Sequence, residues 1–143
     1  MQIIFGNQII NLNKELSTNL SYSGVITEDT VLSNDFGVGA LLYLTETGFS
    51  EAMADSSLTV PCRGLALESG AGIRKILLNG FFRDNSLSLT KGLDIYVSNL
   101  ISGAITQVAP SGDLEQVQPI GWAIDTNIIY FNPSLLVIEV KTT

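Results

Sequence analysis

The amino-acid sequence predicts an all-β domain, folded as a compact β-barrel, β-tulip or sandwich and built from two similar units. Short runs of β-branched and aromatic residues alternate with turns rich in Gly, Asn, Asp and Ser along the 143 residues. No stretch has a helical periodicity longer than about two turns. The second half of the chain also repeats the residue pattern of the first. Because this length corresponds to about one domain, we expect residues 24–143 to form one domain with one core.

The repeat is defined by four short anchors that recur in the same order and with the same internal spacing. The matched stretches are residues 39–45 and 92–98, 48–54 and 103–109, 62–67 and 119–124, and 76–80 and 129–133. The offset between the copies changes only between anchors, where connections tolerate insertions best. Two copies are too few for a solenoid, so we expect two equivalent β units at about 36–83 and 90–140. The equivalent positions are then Tyr43 and Tyr96, Gly64 and Gly121, and Ala66 and Ala123.

Residues 1–23 precede the repeat and are the predicted attachment arm. Residues 2–5 and 8–12 are β-prone and flank Gly6-Asn7, which indicates a hairpin with a type II′ turn. The polar stretch after it fits either an extended arm or one to two helical turns. As an arm, the segment would add to an exposed sheet edge of a partner, through the anchors Ile3, Phe5, Ile9 and Leu12. The alternative is a hairpin that completes the barrel of its own domain.

The remaining strands are predicted in chain order. Residues 24–32 are typical of two short strands around a polar turn. Further strands of the first unit follow near 41–45, 49–52, within 58–67 and at 73–78, and Pro61 indicates an edge position or a bulge. Residues 81–83 are expected to begin the link to the second unit, which repeats the order of strand, turn and strand. It ends in residues 135–140, an apolar run that predicts a strong final strand.

Composition argues against several classes of function. The formal net charge is −7, and the seven Lys and Arg are scattered among fourteen Asp and Glu, so a nucleic-acid partner is not expected. The chain has no His, which is the commonest general base and a common zinc ligand. Cys62 is the only Cys, which excludes an internal disulfide and predicts a small buried residue in or beside a strand. Since no phosphate loop, nucleophile elbow or catalytic acid pair is visible, we expect neither an enzyme nor a cofactor.

The N-terminal apolar run is too short for a signal peptide or a membrane span, so we expect a chain that begins at or near Met1 in a cytoplasm, without a membrane partner. Charged residues make up only 15% of the chain, which is low for a solvent-exposed monomer. We therefore expect a partner to cover part of the surface. Apolar contacts in a homo-oligomer are predicted for Phe81, Phe82 and Trp122. Trp122 fits an interface hot spot and an ordinary core role equally well.

Two further sets of residues have alternative interpretations. Tyr43 and Tyr96 each follow a glycine at a strand start, which suits a carbohydrate platform, although packing on the core with the hydroxyl at the rim is favoured. Asp113 and Glu115 stand in one loop and could bind calcium weakly. The loop lacks the regular alternation of oxygen ligands found in tight calcium sites, so a solvated loop is favoured. Neither set indicates a catalytic site.

The residue pattern of stretches 92–97, 103–106 and 117–123, followed by a terminal β run, resembles that of small virion proteins of tailed bacteriophages. The resemblance is to capsid decoration (cement) proteins above all, with related domains in head fibres, and it covers about residues 36–140. It implies a compact β-barrel or β-tulip, often a homotrimer, made in the host cytoplasm and set on the outer face of the major capsid protein lattice. The alternative is a fibre or receptor-binding domain that recognises surface glycans through Tyr43, Tyr96 or Trp122.

Overall fold

The computed structural model describes residues 2–5 and 8–142, with side chains from Leu12 onward. Within that part the chain is all-β, as predicted, and its only helical element is a 3₁₀ turn at Ser57–Thr59. None of its helical structure is long and apolar enough to cross a membrane. The strands are β1 (Gln2–Phe5), β2 (Gln8–Asn11), β3 (Tyr22–Val31), β4 (Leu41–Leu44), β5 (Phe49–Glu51), β6 (Cys62–Ala66), β7 (Gly72–Arg83), β8 (Asp94–Val97), β9 (Ile105–Thr106), β10 (Gln116–Val117), β11 (Pro119–Asp125), β12 (Ile128–Phe131) and β13 (Ile138–Glu139).

Five strands close into a barrel in the order β3, β5, β4, β6 and β7. The closing strand is β3, which pairs antiparallel with β7 along its whole length and parallel with β5 where Val31 meets Phe49. A hydrogen bond of 3.0 Å from the Leu32 N–H to the Phe49 carbonyl completes this closure. A small barrel of this kind is filled by side chains, here by Val31, Phe36, Leu42, Phe49, Ala66 and Ile76.

The same sheet continues beyond the barrel through β7 to β12, β11, β8 and the edge strand β9. The long strand β7 therefore belongs to both halves of the molecule. Between the halves lies a central core, which draws buried residues from both: Leu41, Ala52, Ala54, Cys62, Leu65, Leu67, Leu77, Phe82, Ile95, Val97, Ile120, Ala123, Ile129 and Phe131. Cys62 is fully buried at the start of β6, as predicted for a small apolar residue.

Strand pairing shows that the two units are equivalent, as the repeat predicts. In the first unit Tyr43, Leu42 and Leu41 of β4 lie opposite Cys62, Gly64 and Leu65 of β6, with a bulge after the first pair. In the second unit Tyr96, Ile95 and Asp94 of β8 lie opposite Pro119, Gly121 and Trp122 of β11, with the bulge at the same place. The next strands agree as well, because Ala66 pairs with Ile76 and Ala123 pairs with Ile129.

One anchor of the predicted alignment is displaced by one residue. Tyr43 pairs with Ser50, whereas Tyr96 pairs with Thr106 and not with Ile105, the residue matched to Ser50 from sequence. The error arose because the alignment was fixed on two glycines, Gly48 and Gly103, whose φ angles of 153° and 75° show that they make different turns. A slip of one residue exchanges the two faces of a strand. The glycine match was therefore a coincidence of turn composition.

Three predicted elements differ from the structure. The two strands predicted over residues 24–32 are instead one continuous strand, β3, which ends at Val31 and has a bulge between Val25 and Ile26. Residues 81–83 end β7 and do not begin a link. The predicted final strand over residues 135–140 is reduced to β13, which pairs only with the two residues of β10. A strand needs a partner of matching length, and among the described residues no strand pairing includes Leu135, which is 86% exposed.

Candidate functional site

The N-terminal hairpin is present, and it forms a sheet of its own. β1 and β2 pair antiparallel, with Ile3 opposite Ile10 and Ile4 opposite Ile9. In the described part of the chain this two-stranded sheet shares no strand pairing with the nine-stranded sheet. The hairpin therefore does not complete the barrel, which was one of the two alternatives. The side chains of Ile3, Phe5 and Ile9, three of the predicted anchors, lie outside the described residues.

The segment after the hairpin is docked on the domain, which corrects the predicted arm of residues 1–23. Leu12 and Leu16 are 5% and 7% exposed and form an outer cluster with Phe81, Ile128 and Tyr130. The Arg83 guanidinium donates to the Leu16 carbonyl (Nη1 to O, 2.7 Å), which ties the segment to the end of β7. Leu12 is thus a core residue and not a partner anchor. The hairpin strands β1 and β2 precede this attachment point in the chain.

Of the three aromatic residues predicted to form apolar contacts in a homo-oligomer, only Trp122 lies at the surface. Phe81 and Phe82 are 1% and 2% exposed, so the prediction that they form subunit contacts is wrong. Their adjacent positions on β7 point to opposite faces, and both faces are covered: Phe82 enters the central core and Phe81 the outer cluster. Trp122 is 39% exposed.

The Trp122 ring is held by a row of aromatic contacts across three strands. It packs on Tyr130 with ring centroids 4.7 Å apart, and Tyr130 packs on Phe81 at 5.1 Å. The Tyr130 hydroxyl also lies 3.4 Å from Asn79 Oδ1, to which it donates. Both contacts are tilted, the arrangement that aromatic quadrupoles favour. The ring is therefore positioned by the fold before any ligand arrives.

Two depressions meet at Trp122. The larger, which we call the Trp122 groove, has a volume of about 610 Å³ and is lined by Lys14, Glu15, Leu16, Arg83, Lys91, Gly92, Trp122, Ala123, Ile124, Asp125 and Ile128. The smaller, of about 430 Å³, is lined by Asp94, Pro119, Gly121, Trp122, Asn132, Pro133, Ser134 and Leu135. Sequence reasoning singled out Trp122 but missed the groove, because its walls come from the N-terminal segment, the end of β7 and the second unit.

The two tyrosines of the alternative carbohydrate platform lie outside the depressions beside Trp122. Tyr43 and Tyr96 are both half-buried, and Tyr43 packs against the central core. Neither lines the depressions beside Trp122. The packing of Tyr43 agrees with the favoured interpretation, in which its ring packs on the core. Trp122 is the exposed aromatic residue that lines both of these depressions.

The two acidic residues of the 110–115 loop are occupied in holding the chain together. The Glu115 carboxylate accepts from Asn99 Nδ2 at 2.9 Å and from the Gly112 N–H at 2.7 Å. The first of these bonds, followed by the second, holds the pKa of Glu115 below its ordinary value. Asp113 Oδ1 accepts from the Thr142 N–H at 2.9 Å. Both carboxylates therefore order this loop and the C-terminal segment.

A third depression, of about 370 Å³, opens between the two units. Its rim carries Asp35, Glu51 and Asp84, and Phe82 and Ile129 contribute to its apolar lining. Burial, and then the charge of Asp35, raise the pKa of Glu51. Among the described residues no three acidic or cysteine side chains are grouped so that they could hold a metal ion.

Several exposed apolar residues lie on segments that are hydrogen-bonded to one another near Ala54. The segment just before the 3₁₀ turn contacts both the β8–β9 loop and β10, because the Ala54 N–H donates to the Ser98 carbonyl (2.8 Å) and the Gln116 N–H donates to the Ala54 carbonyl (2.9 Å). β13 lies beside β10. We call these segments the apolar end, after the exposed residues that they carry, Leu58, Leu100, Ile101 and Ile138. Its exposed side chains are aliphatic, and the surface suits contact with another protein.

No family model, no curated protein and no solved structure matches the chain.

Proposed function

We propose that the chain is a non-enzymatic capsid decoration protein, which binds the outer surface of a tailed-bacteriophage major capsid protein lattice and stabilises it. The observation that carries the proposal is the hairpin β1–β2, which shares no strand pairing with the sheet of its own domain among the described residues. A lone two-stranded hairpin is at best marginally stable in water. Its strands have the sequences Gln-Ile-Ile-Phe and Gln-Ile-Ile-Asn, so a partner that pairs with them gains apolar burial as well as backbone hydrogen bonds.

The docked segment supports the same proposal, because it fixes where the hairpin starts. Leu12 and Leu16 are buried beside Phe81 and Tyr130, so the chain is anchored immediately after β2. An attachment element whose base is already fixed loses less conformational entropy when it binds. The domain then acts as a rigid body that presents one short β element to the capsid surface.

The apolar end offers a surface for association between copies. Leu58, Leu100 and Ile101 are 81%, 79% and 66% exposed, and exposed apolar patches are typical of protein contacts. The proposed homotrimer therefore uses this end and not Phe81 or Phe82. The number three comes from the resemblance to decoration proteins, and sedimentation of the purified protein at micromolar concentration measures it. A monomer at that concentration would contradict self-association in solution.

Removal of the hairpin tests the attachment. A chain that starts at Leu12 keeps the outer cluster, so we expect it to unfold at the same temperature as the full chain but not to co-sediment with particles that lack the protein. A shorter chain that starts at Tyr22 would not isolate the effect of the hairpin, because it also lacks the buried residues Leu12 and Leu16. As a control, Leu58→Ser in the full chain changes the apolar end and leaves the hairpin intact. Undiminished particle binding by the chain that starts at Leu12 would refute attachment through the hairpin.

The exposed Trp122 beside a groove favours a second candidate, a fibre or receptor-binding domain that recognises surface glycans. The two candidates differ in location on the particle. Cryo-EM of purified particles shows density at capsomer centres or junctions for a decoration protein, and at fibre tips for a receptor-binding domain. Density at the fibre tips alone would overturn the decoration proposal.

A further inference from the structure

The Trp122 groove combines an aromatic ring with a concentration of positive charge that is unusual for this chain. Three of the seven basic residues line it, Lys14, Arg83 and Lys91, against two acidic residues, Glu15 and Asp125. The groove therefore has a formal charge of +1, while the whole chain has −7. An acidic protein that gathers its few cations at one concave surface creates a local field that attracts anions.

The two lysines of the groove are available to a ligand. Both are exposed, and the ion pair found in the described part of the chain joins Lys141 to Glu139 (3.1 Å), far along the sequence from either. Arg83 is held in place instead, because its guanidinium donates to the Asn85 side chain (2.7 Å) and to the Leu16 carbonyl (2.7 Å). Asp125 accepts from the neighbouring Thr126 N–H at 2.8 Å. The groove thus has a fixed wall and two lysine ammonium groups that can reach an anion.

The Trp122 ring supplies a flat apolar surface next to these cations. Its contact with Tyr130, at 4.7 Å, fixes the ring, and 39% of the residue stays exposed. One face of a pyranose ring carries C–H groups and packs on an aromatic face, while its hydroxyls point sideways to hydrogen-bonding groups. The volume of about 610 Å³ lies within the range of about 300–1,000 Å³ that is usual for small-ligand sites.

We propose that the Trp122 groove binds an acidic oligosaccharide, with a sugar ring stacked on Trp122 and its anionic group near Lys14 and Lys91. This site is separate from the proposed capsid attachment, which uses the hairpin and not the groove. A virion protein with such a site would hold the particle to acidic polysaccharide. Neutral sugars can use the ring but not the lysines, and polyanions without sugar can use the lysines but not the ring. Both features together select an acidic sugar chain.

Trp122 also provides the readout, because it is the only tryptophan of the chain. Titration with a galacturonic acid hexamer at low salt is expected to change the Trp122 emission in a saturable way, and calorimetry gives the affinity. Maltohexaose, which is neutral, is expected to bind at least about tenfold more weakly, and so are polyphosphate and polyglutamate, which lack sugars. Raising the salt concentration to about 0.5 M is expected to weaken binding of the acidic hexamer, because surface charges are then screened within a few ångströms.

Variants separate the two parts of the site. Calorimetry is expected to show at least about tenfold weaker binding of the acidic hexamer for Trp122→Ala, and a loss of similar size for the double variant Lys14→Gln with Lys91→Gln. Lys75→Gln is the matched control, because Lys75 is an exposed lysine of β7 that does not line the groove. All of these variants are expected to co-sediment with particles as the unchanged protein does.

Three outcomes would overturn the inference. The first is no saturable response to the acidic hexamer. The second is equal binding of polyphosphate or polyglutamate, which would identify a general anion site. The third is loss of particle binding in Trp122→Ala, which would assign the ring to the capsid contact. If the chain that starts at Leu12 loses particle binding but still binds the hexamer, the result supports both proposals.

Discussion

The prediction most closely tied to the architecture concerns Gln118, a fully buried glutamine that joins the two units. Its side-chain Oε1 accepts from the Cys62 N–H (2.7 Å), and its Nε2 donates to the Cys62 carbonyl (3.0 Å) and to the Ser134 carbonyl (3.0 Å). The primary amide thus takes the place of a peptide group in a neighbouring strand and satisfies both backbone groups of Cys62. It connects β6 of the first unit to the start of β11 and to the C-terminal segment of the second.

Gln118→Leu keeps a similar volume but removes all three hydrogen bonds. The N–H and carbonyl of Cys62 then remain buried without this partner, and Cys62 is fully inaccessible to water. Each orphaned buried group costs roughly 1–3 kcal/mol, so the free energy of unfolding is expected to fall by about 2–6 kcal/mol. That is a large fraction of the 5–15 kcal/mol typical of a folded domain. With a urea m-value of about 2 kcal/mol/M, the midpoint of unfolding falls by about 1–3 M.

The chain contains a matched control in Gln107. Its side chain also makes three hydrogen bonds, with the Thr90 N–H (2.8 Å), the Thr90 carbonyl (3.0 Å) and the Leu93 carbonyl (3.4 Å). Thr90 and Leu93 are exposed, so water replaces the lost partner. We expect Gln107→Leu to cost about 1 kcal/mol or less. Equal midpoints for Gln107→Leu and Gln118→Leu in urea, followed by circular dichroism, would refute the reasoning that burial makes these bonds important.

Three further predictions concern the backbone, the thiol and the docked segment. A Cβ on Gly121 would lie 1.7 Å from the Tyr130 carbonyl oxygen, so Gly121→Ala is expected to prevent folding. A Cβ on Gly92 would meet no atom within 4 Å, so Gly92→Ala is expected to lower the free energy of unfolding by only about 1–2 kcal/mol, for its φ of 88°. Urea unfolding midpoints of the two variants measure this difference. Burial raises the pKa of Cys62 from 9.0 to about 12, so the thiol is expected to react with a disulfide reagent at pH 8 only as fast as the protein unfolds. Because the pKa of Cys62 is higher in the folded than in the unfolded chain, the contribution of the thiol to the free energy of unfolding is complete below about pH 9. This contribution is lost as the pH rises towards 12. Leu16→Ala, at 7% exposure, is expected to lower the free energy of unfolding by about 2–3 kcal/mol, measured in urea.

The repeat could be predicted from sequence where its anchors lie in paired strands. The Gly39 N–H donates to the Ala66 carbonyl (2.7 Å), and the Gly92 N–H donates to the Ala123 carbonyl (2.8 Å). The donor and the acceptor of this hydrogen bond therefore stand at equivalent positions in the two units. The anchor fixed on turn glycines was wrong, because turn length can change without disturbing the ladder. Residue identity inside a strand pair is therefore a stronger guide to register than a shared turn residue.

The single strand β3 was predicted as two short strands around a turn, because the polar residues in its middle face a partner that is distant in sequence. Glu28 lies opposite Lys75 and Asp29 opposite Arg74 in the ladder with β7. Opposite charges across a ladder stabilise a strand pair, yet the local sequence around Glu28 and Asp29 resembles a turn. Phe81 and Phe82 were misjudged for a similar reason, since two adjacent aromatic residues indicate that both faces of a strand are covered, and the covering segments come from far along the chain.

The candidate carbohydrate site arises from an asymmetry between two units that share one register. Leu65 and Leu77 of the first unit occupy the positions that Trp122 and Tyr130 occupy in the second, because each pair lies opposite on equivalent strands. The leucines are 1% and 0% exposed, because that face of the first unit packs in the central core. The same face of the second unit turns outward, where residues of the N-terminal segment cover Tyr130 but leave Trp122 partly exposed. A repeated fold thus produces one covered and one open copy of the same surface, and the open copy is the one that carries the aromatic ring and the basic groove.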